Sequence, residues 1–389
     1  MSDRLPDLPL PPGVRARRVD GINGLLMHVL EAGHQGQPLV VLLHGFPELA
    51  YSWRRIMPAL AEAGFHVLAP DQRGYGRTTG ADTSYGADLR QFRPLNLVRD
   101  IVGLIAAFGA RSVSTLVGHD YGAVVAAWGA VLRPDLFRSV ALMSAPFGGP
   151  PPLPFDTLRR GPAAPAPDMD AALATLNPPR KHYQTYYATP HADADMHRCP
   201  QGVHAFLRAY YHHKSADWPG NRPTRLASLT APELAKLPTY YVMNLSEDMA
   251  TTVEREMPSQ DRIAACAWLP DHELAVYSAE YERTGFQGGL NWYRCRFVPE
   301  ITAELQTFSG RTIDIPACFI AGASDWGIHQ RPHDFERMQN EVCTDLRGCH
   351  LIDGAGHWVQ QEQSAAVAEL LTAFCRAQVA ENRARSEER

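Results

Sequence analysis

The sequence contains no apolar run that approaches the roughly 20 residues needed for a membrane-spanning helix. Its first residues, M-S-D-R-L-P-D-L-P, place acidic residues and prolines where a signal peptide needs a basic stretch followed by an apolar one. No C-x-x-C pair occurs, and the seven cysteines are scattered, which favours reduced thiols over a disulfide framework or a zinc site. We therefore expect a cytoplasmic protein without a membrane anchor.

An excess of positive charge is also missing. The chain has 37 Lys and Arg against 42 Asp and Glu, which gives a formal net charge of -5. Such a chain lacks the broad positive field that binds phosphate backbones or anionic lipid, so we expect neither nucleic acid nor membrane as a partner. With 389 residues, of which 45% are hydrophobic, the chain can bury a large core and hold an insertion or a second domain.

The first third of the chain alternates strand and helix patterns, which is typical of a mostly parallel sheet. The pair Asn23-Gly24 predicts a tight hairpin near the start. The run P-L-V-V-L-L-H at 38–44 is continuously apolar, as expected of a strand covered on both faces. Helical patterns cover about 95–108 and about 364–379, and we expect the charged tail after the second one to be frayed.

This rhythm breaks at residue 146. Two proline-rich stretches, at 146–154 and 161–167, cannot sustain regular structure. Residues 147–312 are rich in tyrosine and histidine, with short helical patterns and no obvious buried strand, and the strand–helix rhythm then resumes. The sequence therefore predicts an α/β core domain of residues 1–146 and 313–389, interrupted by a mainly helical unit of residues 147–312.

Three chemically active side chains directly follow strand patterns, where open α/β sheets bind their ligands. Asp120 lies in G-H-D-Y-G, where Gly118 and Gly122 leave room for a strained strand-to-helix turn. Asp325 follows A-C-F-I-A-G, and His357 lies in G-A-G-H-W after the last strand. This order of nucleophile, acid and histidine matches the α/β-hydrolase fold.

Taken alone, each of these residues has an ordinary explanation as a turn residue, a helix cap or an incidental polar group. The combination is more specific, because a further motif, H-G-F-P-E at 44–48, closes the first buried strand. In this fold the oxyanion hole uses the loop after that strand and the residue after the nucleophile. This predicts the backbone amides of Phe46 and Tyr121 as oxyanion donors, and the Phe46-Pro47 bond is a candidate for a cis peptide.

Four motifs together, H-G-F-P-E-L-A-Y-S-W-R-R, A-P-D-Q-R-G-Y-G-R-T, G-H-D-Y-G-A and G-A-G-H-W-V-Q, resemble the epoxide hydrolases of the α/β-hydrolase superfamily, of the soluble type. The resemblance extends from about residue 14 to about residue 375. It implies a mostly parallel central sheet flanked by helices, with the inserted unit as a helical cap domain.

The resemblance further implies two cap tyrosines that bind the epoxide oxygen. The matching residues are Tyr183 in H-Y-Q-T-Y-Y and Tyr293 in G-G-L-N-W-Y-R. Tyr187 shares a helix face with Tyr183 at i and i+4 spacing, so this neighbouring ring is an alternative for the first position. The chain departs from the family at Tyr121, where tryptophan is frequent; backbone donation survives that change, but pocket shape need not.

An aspartate nucleophile selects a saturated carbon as the electrophile. Serine attack on an epoxide would give an ether that water cannot hydrolyse, whereas attack by Asp120 gives an ester whose carbonyl belongs to the enzyme. A carboxylate of ordinary pKa, about 3.9, is already ionised at neutral pH. His357, oriented by Asp325, then activates water, while tyrosines of pKa about 10 remain protonated donors. The predicted reaction joins an epoxide and water into a vicinal diol without a metal or organic cofactor.

Two alternatives use the same residues differently. A dehalogenase shares the aspartate nucleophile, but haloalkane dehalogenases typically place tryptophan, and fluoroacetate dehalogenases arginine, where this chain has Tyr121. A non-catalytic ligand-binding protein is the other alternative, because fold alone does not determine function. The stretch H-A-D-A-D-M-H-R-C and the pair His212-His213 suggest a metal site, but they lack tetrahedral ligand spacing, so we expect solvated cap loops there.

Overall fold

An eight-stranded sheet forms the centre of the protein in the computed structural model, which describes residues 5–155 and 168–387. Its strands are β1 (Val14–Ile22), β2 (Leu25–Ala32), β3 (Leu39–Leu43), β4 (His66–Pro70), β5 (Thr115–His119), β6 (Val140–Met143), β9 (Ala317–Gly322) and β10 (Leu346–Ile352). They lie in the order β1-β2-β4-β3-β5-β6-β9-β10. The pairs β1–β2 and β2–β4 are antiparallel and the remaining pairs are parallel, as the strand and helix rhythm predicted.

Helices cover both faces of the sheet. Successive residues of each strand point to opposite faces, so both sets of side chains pack against helices. The helices of the core are α1 (Met57–Glu62), α2 (Pro94–Ala107), α3 (Tyr121–Leu132), α14 (Asp334–Arg337), α15 (Val359–Glu362) and α16 (Ser364–Glu387). In β3, Val40 and Leu42 belong to the cluster that contains α1 and α16, whereas Val41 and Leu43 belong to the cluster that contains α2 and α3. This two-sided burial explains why β3 is an uninterrupted apolar run.

The segment between β6 and β9 carries most of the remaining helices. They are α4 (Met169–Ala174), α5 (Tyr183–Tyr187), α6 (Ala192–His197), α7 (Gly202–Lys214), α8 (Ala231–Leu234), α9 (Met249–Glu254), α10 (Gln260–Ala265), α11 (Asp271–Thr284), α12 (Gln287–Arg294) and α13 (Pro299–Gln306). Short 3₁₀ helices cover Ala50–Trp53, Leu89–Gln91, Cys295–Phe297 and Trp326–His329, and a π-helix covers Met338–Val342. The mainly helical character expected of this segment is confirmed, whereas its division from the core at 147 and 312 stays a prediction.

Two short strands in this segment were not expected. β7 (Arg180–His182) pairs antiparallel with β8 (Val242–Asn244), and Val242 and Met243 are buried. Three-residue strands are too short to show an alternating pattern in the sequence. The proline-rich stretch at 146–154 is irregular, as predicted, and the second one, at 161–167, lies outside the described residues.

The hairpin at Asn23-Gly24 is confirmed, with φ of 52° and 82° at the two turn residues. The last helix was expected to end near residue 379 in a frayed tail, but it continues to Glu387. Alanine, glutamate and arginine in its last turns favour helix, and Glu381 contacts Arg347 at the end of the sheet. No described helix combines the length and apolar character required to cross a membrane.

Candidate active site

Asp120 occupies the sharp turn between β5 and α3. Its backbone has φ 52° and ψ -122°, a conformation that L-residues rarely adopt. A Cβ on Gly118 would lie 2.1 Å from the carbonyl oxygen of Gly122, and a Cβ on Gly122 would lie 2.4 Å from that of Leu43. Both glycines are therefore required for the turn, and the strained strand-to-helix geometry predicted from G-H-D-Y-G is confirmed.

The loop after β3 contacts the carboxylate of Asp120 directly. The backbone amide of Phe46 donates a hydrogen bond of 3.1 Å to Asp120 Oδ1. The Phe46-Pro47 peptide is cis, as the sequence suggested. Tyr121, which was expected to provide the second oxyanion donor, begins α3, so its amide is one of the first-turn groups without an intrahelical acceptor. Of the two predicted oxyanion donors, the Phe46 amide thus contacts Oδ1 of Asp120, and the role of the Tyr121 amide stays a prediction.

His357 and Asp325 lie on the other side of Asp120. His357 Nδ1 is 3.1 Å from Asp325 Oδ2, and Asp325 Oδ1 accepts a hydrogen bond of 2.6 Å from the amide of Gly327. His357 Nε2 is 3.3 Å from Asp120 Oδ2, yet it forms no hydrogen bond within the described part of the chain. The imidazole is thus oriented on one side by Asp325 and has its other nitrogen beside Asp120.

The two aspartates are ionised at neutral pH although both are buried. Burial alone would raise the pKa of Asp120, but His357, and then the charges of Lys214 and His119, outweigh it and hold this pKa below its usual range. Burial likewise opposes ionisation of Asp325, whose pKa is lowered overall by His357, the Gly327 amide and Lys214. Asp120 can therefore act as a nucleophile without a base to activate it.

The two tyrosines predicted from the sequence, Tyr183 on α5 and Tyr293 on α12, lie together, and Tyr293 packs beside Phe46. Their ring centroids are 6.1 Å apart, and Tyr293 lies 5.6 Å from Phe46. Burial, reinforced by the charge of Asp120, raises the pKa of both tyrosines, so both hydroxyls are protonated at neutral pH. The Tyr183 hydroxyl donates to Gln330 Oε1 at 3.0 Å.

The neighbouring tyrosines on α5 are engaged elsewhere. The hydroxyl of Tyr187 is hydrogen-bonded to that of Tyr210 at 3.0 Å, and the hydroxyl of Tyr186 donates to Asp195 at 3.0 Å. The ring of Tyr187 still packs 5.2 Å from that of Tyr293. Tyr183 and Tyr187 share a face of α5, as predicted from their spacing, but their hydroxyls have different partners.

Comparisons with known proteins identify the family to which the chain belongs. A family model described as the alpha/beta hydrolase fold matches residues 38–363. Epoxide hydrolase A of Mycobacterium tuberculosis is 36% identical over 368 residues, which cover 93% of this chain and 98% of that protein. The chain belongs to the epoxide hydrolases of the α/β-hydrolase fold family. The fold class and the family resemblance predicted from the sequence are thereby confirmed.

Solved structures of epoxide hydrolases share the whole architecture. An epoxide hydrolase from an endophytic Streptomyces has a TM-score of 0.73 and 32% identity, covering 94% of this chain and 96% of that one. Epoxide hydrolase A from Mycobacterium thermoresistibile has a TM-score of 0.70 and 34% identity, covering 93% of this chain and 98% of that one. The similarity therefore includes the segment between β6 and β9 as well as the sheet.

Contacts at the start of α12 hold the helix that carries Tyr293 in this epoxide hydrolase. Asp193 Oδ1 accepts hydrogen bonds from the amides of Phe286 and Gln287, at 2.6 and 2.9 Å, and so caps the start of the helix. A Cβ on Gly288 would lie 2.0 Å from the carbonyl oxygen of Gly74. The glycines of G-G-L-N-W-Y-R thus permit close contact with the D-Q-R-G-Y-G loop.

Two residues of the site were missed in the sequence, although both lie inside the motifs. His119 Nδ1 is 2.5 Å from Glu48 Oε2, and its Nε2 is 2.7 Å from the carbonyl oxygen of His357. Burial opposes the charge of His119, but Glu48 raises its pKa overall. This pair links the H-G-F-P-E loop to the histidine loop. Two features of the sequence could have identified them: His119 ends an apolar strand pattern, and Glu48 ends the motif H-G-F-P-E.

The histidine-rich segment differs from the expected solvated loops, and that expectation is wrong. Residues Ala192–His197 form α6, with Met196 buried, and His213 is buried at the end of α7. Among the residues that the structure describes, no three His, Cys, Asp or Glu side chains are grouped so that they could hold a metal ion.

Proposed function

We propose that the protein hydrolyses a small-molecule epoxide to a vicinal diol through a covalent ester on Asp120. The observation that carries this proposal is the carboxylate at the strained turn, with Oδ1 bonded to the Phe46 amide and Oδ2 beside His357 Nε2 at 3.3 Å. Oδ2 attacks a ring carbon, so the C–Oδ2 bond forms as the carbon–oxygen bond of the epoxide breaks. Tyr183 or Tyr293 donates a proton to the released alkoxide.

Water completes the reaction in a second step. His357 Nε2 accepts a proton from water, Asp325 stabilises the resulting imidazolium, and the hydroxide adds to the carbonyl carbon of the ester. Negative charge develops on Oδ1, where the amides of Phe46 and Tyr121 donate. The intermediate then collapses: the bond between Cγ of Asp120 and Oδ2 breaks, and Oδ2 leaves with the diol and takes a proton from His357. The proton that remains on the oxygen from water returns to the tyrosinate, which restores the Asp120 carboxylate and the tyrosine. The residues provide every proton transfer in this scheme.

Residues 147–312 would act as a cap that holds the two tyrosines over the core. In the structure the Tyr183 hydroxyl donates to Gln330, so we propose that it exchanges this partner for the epoxide oxygen. The cytoplasm is the location that we propose, and the free thiols of all seven cysteines support a reducing compartment.

A covalent intermediate can be trapped by removing the base. H357Q should alkylate Asp120 when mixed with styrene oxide and then stall, so that intact-mass spectrometry shows the protein with one added substrate mass. The control D120N should show no adduct and form no diol. Diol formation by the wild-type protein is measured beside halide release from a small haloalkane. Halide release without diol, or an H357Q protein without adduct, contradicts the proposal.

A further inference from the structure

Lys214 is a buried cation at the end of α7. Its residue exposure is 3%, and within the described residues its ammonium makes no hydrogen bond or ion pair. Among the described residues, the three buried arginines each contact a carboxylate: Arg54 with Glu273, Arg73 with Asp100 and Arg208 with Asp271. A buried charge is costly unless something compensates it, so the surroundings of Lys214 require an explanation.

Aromatic rings enclose this ammonium. Its Nζ lies 5.0 Å from the ring centroid of Tyr241, 5.3 Å from Trp358, 5.4 Å from Tyr210 and 5.8 Å from Tyr240. Cation–π attraction offsets part of the lost hydration but leaves the full positive charge in place. Burial lowers the pKa of Lys214, whereas the carboxylates of Asp120, Asp325 and Glu48 act against that lowering.

The same residue also supports the catalytic histidine through its backbone. The carbonyl oxygen of Lys214 accepts a hydrogen bond of 2.9 Å from the amide of His357. His357 in turn lies between two carboxylates, with Nε2 3.3 Å from Asp120 and Nδ1 3.1 Å from Asp325. Two anions on either side favour a proton on the imidazole, and a protonated imidazole cannot take a proton from water.

We propose that Lys214 is a positioning residue whose ammonium balances the charges of Asp120 and Asp325, so that His357 remains unprotonated for ester hydrolysis. This inference rests on the proposed two-step reaction. The groups that face the ammonium or the histidine are Tyr210 on α7, Tyr240 and Tyr241 before β8, Trp358 before α15, and Asp120, Asp325, Glu48 and His119 from the core.

The net charge around His357 changes when Asp120 becomes an ester, and this change identifies the step at which Lys214 matters. Before attack, Asp120 and Asp325 carry two negative charges against one positive charge. Once Asp120 is an ester its charge is lost, and Lys214 then balances Asp325 alone. Without the ammonium, the two carboxylates would stabilise an imidazolium at His357 more strongly than they do in the wild type, and less of the base would be available when the ester forms.

The test compares K214M and K214R by measuring kcat for styrene oxide from pH 5 to pH 9. K214M should move the acidic limb of the profile to higher pH by about one unit, so kcat on that limb falls about tenfold. K214R keeps the positive charge and should retain the wild-type profile. K181M is the matched control, because Lys181 also lies over a ring, Tyr186, at 5.0 Å, and should leave the profile unchanged.

Circular dichroism establishes that each variant is folded, and K214Q replaces K214M if the latter is not. A wild-type profile in the neutral variants overturns the inference, even if their thermal stability falls, because packing alone would not move the profile. A shift in K214R as large as that in K214M overturns it as well, since charge would then not be the cause. A wild-type protein that forms no diol at any pH overturns the proposed function, and with it this inference.

Discussion

The two oxygens of Asp120 have different environments, and the difference supports the roles that we propose for them. Oδ1 accepts from the Phe46 amide, whereas Oδ2 lies beside His357 Nε2. The oxygen without an amide donor is the better nucleophile, since a hydrogen bond lowers the negative charge that it can offer. In the proposed reaction, the oxygen that becomes the ester carbonyl already accepts from the Phe46 amide, so the second step needs no rearrangement of this contact.

The tyrosine assignment gives the first prediction at this scale. Y183F should lower kcat/KM for styrene oxide by about 10- to 100-fold, because it removes one of two proton donors to the alkoxide. Y187F is the matched control on the same face of α5. Its hydroxyl bonds to Tyr210, so its loss should cost about fivefold or less, the effect of one neutral hydrogen bond. A larger loss in Y187F than in Y183F would assign the donor role to Tyr187.

At the scale of elements, the position of Tyr293 depends on where α12 begins. That helix has no capping side chain of its own at Phe286, and Asp193 of α6 provides the acceptor instead. An acidic group at a helix N-terminus also interacts favourably with the helix dipole. Asp193, which caps the helix of the proposed proton donor Tyr293, is therefore 100 residues away from it in the chain. It lies in the histidine-rich stretch whose composition suggested a metal site.

The second prediction follows from this cap. D193A should lower the free energy of unfolding by about 1–2 kcal/mol, measured by urea denaturation, because two helix amides lose their acceptor. It should also lower kcat/KM, since Tyr293 loses its position. D193N retains an acceptor oxygen and should lose less of both. D195A, on the same helix, removes only the Tyr186 contact and should leave kcat/KM near the wild-type value. Equal kinetic losses in D193A and D195A would exclude the capping role.

The sequence predicts those elements whose cause is local. The hairpin follows from Asn23-Gly24, and the turn at Asp120 follows from the two glycines that close contact requires. β7 and β8 were missed because three residues form a strand only when a distant partner is present. The histidine-rich segment forms α6 since Met196 packs into the cap, which its polar composition does not show.

At the scale of the whole molecule, the site combines residues from distant parts of the chain. The order of Asp120, Asp325 and His357 was readable because each follows a strand of one sheet, and the topology brings these ends together. Lys214 could not be found in this way, because it ends a helix of the inserted segment and contacts the His357 loop only in the folded protein. Pairing of that kind leaves no periodic signal in a sequence.

The buried side chain of His213 makes the stability of the whole protein depend on pH. His213 packs between Trp218 and Tyr240, with ring centroids 4.5 and 4.7 Å away. Neither ring nitrogen has a hydrogen-bond partner within the described residues. Burial, followed by the charges of His212 and Lys214, lowers the pKa of His213 to about 3 from an ordinary value of 6.5. The folded protein therefore holds this imidazole neutral under conditions in which the unfolded chain would protonate it.

The third prediction concerns pH. Because the folded pKa is depressed, the stability from neutral His213 is fully present above pH 6.5 and is lost as pH falls toward 3. Because of this one group, the free energy of unfolding should be about 1.4 kcal/mol lower at pH 5.5 than at pH 7.5. H213F, measured by urea denaturation at both pH values, should lose that much less than the wild type. H272N, which changes an exposed histidine, should lose as much as the wild type. An H213F protein with the full wild-type loss would show that His213 is protonated in the folded state.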